Sequence, residues 1–90
     1  MDWDDKIKIE LSNHDKKVLE DHIYIFLDNE IINKLNHAEI IGSNLLVTLT
    51  VEELDYLLGF IAAEANHSKD KDIEADLDDL YDSLEKYIDV

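Results

Sequence analysis

The chain has 90 residues, no Cys, no Pro and a formal charge of -15 at pH 7, with 23 acidic against 8 basic side chains. That length supports one hydrophobic core, and without thiols the core has neither disulfides nor a thiolate metal site to help it, so a single domain over 1-90 in a reducing, cytoplasmic setting is expected. Charge of this sign repels phosphates and anionic headgroups, which sets direct nucleic-acid and membrane binding aside and leaves protein partners, basic ones above all.

Met1-Asp2-Trp3-Asp4-Asp5 is acidic where a secretory or transit leader is basic, and no apolar run approaches the roughly 18 residues of a membrane span. In that setting Asn66-His67-Ser68 is a chance match to a glycosylation acceptor. Apolar residues make up 46% of the chain and recur with regular periods, so it is expected to fold.

Ile7, Ile9 and Leu11 alternate with Lys6, Lys8 and Glu10, the period of a strand with one buried face. Ser12, with Asp15 three positions on, predicts a capped helix through His22. Ile23 to Leu27 is an apolar run too short for its period to decide, and it is expected as a buried connector. Asp28 or Asn29 then caps a short helix through Leu35 that ends near Asn36-His37. Ala38 to Ile41, Gly42-Ser43-Asn44 and Leu45 to Leu49 read as strand, turn and strand, a hairpin that completes a small antiparallel sheet.

Thr50 and Glu53 form a capping box, and Leu54, Leu57, Leu58, Ile61 and Ala65 share one stripe of the helix that follows to about His67. A last helix from about Asp70 to the C-terminus carries Ile73, Leu77, Leu80, Leu84 and Tyr87 as a seam for an antiparallel neighbour. The fold class expected is α+β, a small antiparallel sheet packed on a C-terminal helical hairpin with short N-terminal helices. Its core is expected to hold Ile9, Leu11, Leu35, Val47, Leu49, Leu54, Leu58, Ile61, Leu77, Leu80 and Leu84.

Motifs for chemistry are sparse. The four Ser residues lack a Gly-x-Ser-x-Gly setting, and Gly42 and Gly59 are too few for a phosphate-binding loop. Asp70, Asp72 and Glu74 start like a calcium loop, but Ala75 stands where the loop needs Gly and Tyr81 where it needs Glu. Glu64 and His67 make one Glu-x-x-His pair, half of the ligand set that a carboxylate-bridged di-iron bundle requires. His14, His22 and His37 are scattered, with no defined partner. No catalytic residue and no cofactor is assigned.

Two surfaces stand out instead. Tyr56, Phe60 and Ala63 lie well round the helix cylinder from the main stripe, so this helix is either sandwiched or presents Tyr56 and Phe60 as a docking surface. The outer face of the last helix carries Asp72, Glu74, Asp76, Asp78, Asp79, Asp82, Glu85 and Asp89 against Lys71 and Lys86, a solvated face or an imitation of nucleic acid built on Asp76, Asp79 and Asp82.

At Leu57-Leu58-Gly59-Phe60-Ile61-Ala62-Ala63-Glu64-Ala65-Asn66-His67 and the lysine-bearing turn after it, the chain resembles a group of small uncharacterised bacterial proteins that share an Ala-Ala-Glu-Ala-Asn-His helix end. The resemblance implies a bacterial cytosolic origin and draws notice to Glu64, Asn66 and His67 as a polar cluster that ends the helix. It transfers no activity and no cofactor.

Three functions are therefore weighed: a non-enzymatic interaction or regulatory module, with a homodimer among its candidate assemblies; an acidic inhibitor or immunity-type protein that blocks a basic site; and a metal-binding protein built on Glu64 and His67.

Overall fold

The alternation near the N-terminus forms strand β1 (Lys6–Leu11) in the computed structural model, which describes residues 2-88. Ser12 then starts helix α1 (Asn13–His22): its Oγ accepts from the Asp15 N–H at 3.0 Å while its own N–H donates to Asp15 Oδ2 at 3.1 Å. Two of the first-turn groups that a helix leaves unpaired are satisfied in this way. Helix α2 (Asn29–Asn36) begins at Asp28, whose Oδ1 accepts from the Ile31 N–H at 3.0 Å.

Strands β2 (Glu39–Ile41) and β3 (Asn44–Thr50) are joined by Gly42-Ser43, with Ile41 opposite Asn44. Gly42 has φ +60°, the sign required of the first central residue in this kind of two-residue hairpin turn, where a Cβ would be strained. The sheet order is β1-β3-β2, antiparallel throughout, and the register sets Ile9 against Val47 and Leu11 against Leu45. Ile9, Leu11, Val47 and Leu49 form its buried face, while Lys6, Lys8, Glu10 and Thr48 face solvent. At the outer edge of β1 the Glu10 N–H donates to the Tyr87 hydroxyl at 3.1 Å, which closes one position to strand addition.

Helix α3 (Val51–His67) follows β3 directly through the Thr50 and Glu53 capping box, and helix α4 (Lys71–Glu85) starts at Asp70. The two pack as a hairpin. Leu54, Leu57, Leu58, Ile61 and Ala65 of α3 join Leu77, Leu80 and Leu84 of α4 and the inner face of the sheet in one core. Every core residue expected from the sequence is buried. Val18, Leu19, Ile23, Leu27 and Ile31 enlarge the core from the N-terminal half.

Ile23 to Leu27 corrects one expectation. Only Ile23 and Leu27 are buried; between them Tyr24–Phe26 forms a 3₁₀ turn that leaves Ile25 85% and Phe26 44% exposed. A tight turn of about three residues directs the residues at its two ends inward and those between them outward. The last helix also stops at Glu85, short of the C-terminus, and Tyr87 and Ile88 complete a turn by bonding back to the Leu84 and Glu85 carbonyls.

Gly59 sits inside α3 with no atom within 4 Å of where a Cβ would stand. Glycine lowers helix stability at such a site, so Gly59→Ala should raise the unfolding free energy by about 0.5 to 1 kcal/mol. Chemical denaturation followed by far-UV circular dichroism reads this directly, and a loss of stability would show that the site is not open.

Candidate docking surface

The open face of α3 follows from its winding. At about 100° per residue, Glu52, Tyr56, Gly59, Ala63 and Asn66 fall along one line, with Asp55 beside it and Phe60 and Ala62 on the flanks. All of the central residues and Asp55 are exposed, whereas Phe60 and Ala62 are half-buried. The sandwiched alternative therefore fails for this face: sheet and last helix cover the opposite side, and Tyr56 is 52% exposed.

Tyr56 does not stand alone. Its ring meets Phe60 edge-on with centroids 4.8 Å apart, and Phe60 stacks on Phe26 at 5.6 Å with 10° between the planes. Both arrangements are favoured by the ring quadrupoles. At the other end Trp3, 60% exposed, lines a shallow depression with Glu52, Asp55 and Tyr56. Trp3 is held there by the backbone, because the Trp3 and Asp5 carbonyls accept from the N–H groups of Glu52 at 3.0 Å and Val51 at 2.9 Å. These are first-turn donors of α3 that have no partner within the helix.

One ion pair supports the strip from below. Lys34 of α2 donates to both Glu53 carboxylate oxygens, at 2.7 and 2.8 Å, and Glu53 Oε1 also accepts from the Thr50 N–H at 2.9 Å. Burial by itself pushes the Glu53 carboxyl up, but the Lys34 ammonium and the Thr50 hydrogen bonds outweigh it and hold this carboxyl below its ordinary value. The pair ties the helix that follows the Phe26 turn to the first turn of the helix that carries Tyr56 and Phe60.

The second surface is less uniform than its sequence. On α4, Asp72, Asp78, Asp79 and Asp82 are exposed, while Glu74, Asp76 and Glu85 are half-buried; Asp89 lies outside the described residues. Asp76 Oδ1 lies 3.3 Å from His14 Nε2 of α1, which separates it from the free row of Asp79 and Asp82. Where α3 and α4 meet, Asp55, Gly59, Ala62, Tyr81 and Glu85 line a groove. The adjacent Glu85 carboxylate above all, then partial burial and the Asp55 and Asp82 carboxylates, push the Tyr81 hydroxyl up.

Glu64 is half-buried and Asn66 and His67 are exposed at the end of α3, where Ser68 is the C-cap and bonds to Asp70. Among the described residues, the one group of three or more metal-ligating side chains within 4.8 Å is the exposed Asp2, Asp4 and Asp5, so Glu64 and His67 gain no third ligand there. Sequence reasoning missed Trp3 and Phe26 as members of the strip, and Ile25 as exposed. The signal for Ile25 and Phe26 was present in a five-residue apolar run longer than a single turn can bury.

No helix among the described residues is long and apolar enough to cross a membrane. No family model matches the chain, and comparison with curated proteins and with solved structures likewise returns no match.

Proposed function

We propose that this chain is a non-enzymatic protein-interaction module whose contact surface is the strip formed by Trp3, Tyr56, Phe60 and Phe26. The continuity of three rings, Tyr56 edge-on to Phe60 and Phe60 stacked on Phe26, with the exposed Trp3 lining a depression beside Tyr56, is the observation that carries this reading. Aromatic groups already fixed on a helix lose little freedom on docking and form the usual energetic centres of interfaces. Basic blocking targets remain the second reading, favoured by the exposed Asp72, Asp78, Asp79 and Asp82 on one helix.

The two surfaces separate in one experiment. A tagged chain expressed beside an untagged copy in its native host is purified as wild type, as Tyr56→Ala, and as the triple variant Asp76→Asn, Asp79→Asn, Asp82→Asn. The interaction reading expects retained protein, whether another chain or the untagged copy, to fall about tenfold with Tyr56→Ala and to persist with the triple variant. Retention that survives Tyr56→Ala but is lost with the triple variant, or at moderately raised salt, would move the function to α4.

A further inference from the structure

The open face of α3 is tall at one end and low at the other. Tyr56 rises from its N-terminal half, with the half-buried Phe60 on the flank near the middle, whereas Ala62 and Ala63 keep the C-terminal half flat and Gly59 leaves open space between them. Charge follows the same polarity, with exposed Glu52 and Asp55 at the first end and, at the other, the exposed Lys69 just past the C-cap. A face with both asymmetries is complementary to its own reversed image.

We propose that the occupant of this docking surface is a second copy of the chain, its α3 lying antiparallel to the first across a twofold axis near Gly59 and Phe60. The proposal rests on the interaction reading above and names its partner. In that register Tyr56 lies over Ala63 of the second copy, Phe60 over its Gly59, and Glu52 opposite its His67, each contact occurring twice as a closed isologous interface requires. Small residues at the crossing let two helices approach closely, and rings fill the low half of the facing surface as ridges fill grooves. Antiparallel helices also set the negative end of each macrodipole beside the positive end of the other.

Two chains of formal charge -15 nevertheless repel, so association of this kind strengthens as salt screens them. A basic partner on the same face behaves in the opposite sense. The sign of the salt dependence thus separates the two occupants.

Sedimentation velocity at about 50 and about 500 mM salt should show a dimer population that grows with salt. Ala63→Gln fills the low half at an exposed helical site, and it should weaken association about tenfold or more without lowering the melting temperature of the monomer. The chain has no cysteine, so single substitutions report the register directly. Gly59→Cys, close to the axis, should oxidise to a linked dimer, whereas Asn66→Cys should not, because in the antiparallel register the two copies of that residue stand about 20 Å apart along the helix axes.

Equal cross-linking at both positions, or association indifferent to Ala63→Gln, would overturn the proposal. So would a chain that remains monomeric at both salt concentrations, and such a monomer is then titrated with a synthetic leucine–lysine amphipathic helical peptide. Binding lost in Tyr56→Ala would overturn the dimer while leaving the docking surface in place with a basic occupant. No binding would overturn both.

Discussion

Glu53→Ala should lower the unfolding free energy by about 2 kcal/mol, a large loss for a side chain outside the hydrophobic core. The reason is that one carboxylate serves two elements: it accepts from the Thr50 N–H at the start of α3 and from Lys34 of α2. The capping contact contributes about 1 kcal/mol by itself. The charged contact adds a similar amount after discounting for Lys34, whose side chain is 35% exposed. Glu53→Gln keeps an acceptor at both positions and should cost less.

The pH dependence has a definite sign. Because the folded carboxyl is held below its ordinary value of 4.5, the unfolded chain binds the proton more readily, and this stabilisation is present above about pH 4.5 and lost as pH falls through the folded value. Net self-repulsion of the chain works the other way and is relieved in acid. Comparing wild type with Glu53→Gln by urea denaturation between about pH 7 and pH 3 isolates the local effect, since global repulsion is nearly common to both. The difference should shrink towards acid. A difference that stays constant would show that the charge on Glu53 contributes nothing beyond its hydrogen-bond geometry.

Much of this architecture is encoded locally, which is why it was legible. Ser12, Asp28, Thr50 and Asp70 each satisfy N–H groups within three residues of themselves, so four helix starts are written in short stretches of chain. The strand alternation and the α4 seam depend only on which residues share a face of their own element. What periodicity does not encode is the element on the other side. Phe26 and Phe60 are 34 positions apart, and their stacking depends on how the Tyr24–Phe26 turn emerges from the core. An exposed ring and a buried ring are the same letter, so the two sides of α3 were distinguishable as apolar but not as covered or open. Asp76 is a similar case, because its His14 neighbour lies on another helix and removes it from a row that looks uniform in sequence.

Leu80→Ala should cost about 3 kcal/mol and lower the melting temperature by about 10 to 25 °C. Leu80 is 0% exposed in the middle of the α4 seam, between Leu77 and Leu84, and a domain of 90 residues has only about 5 to 13 kcal/mol in total. Helix α4 is unusually dependent on that seam, because like charges four apart, Asp72 with Asp76, Glu74 with Asp78 and Asp78 with Asp82, oppose helix formation along its outer side. Screening those charges removes part of the opposition. Salt should therefore restore some of the stability lost in Leu80→Ala, and hydrogen exchange should show amides of α4 losing protection before those of β1 and β3. If Leu80→Ala melted within a degree or two of wild type at low salt, the seam would not be what holds α4 to α3, and the groove beside Gly59 would lose one of its walls.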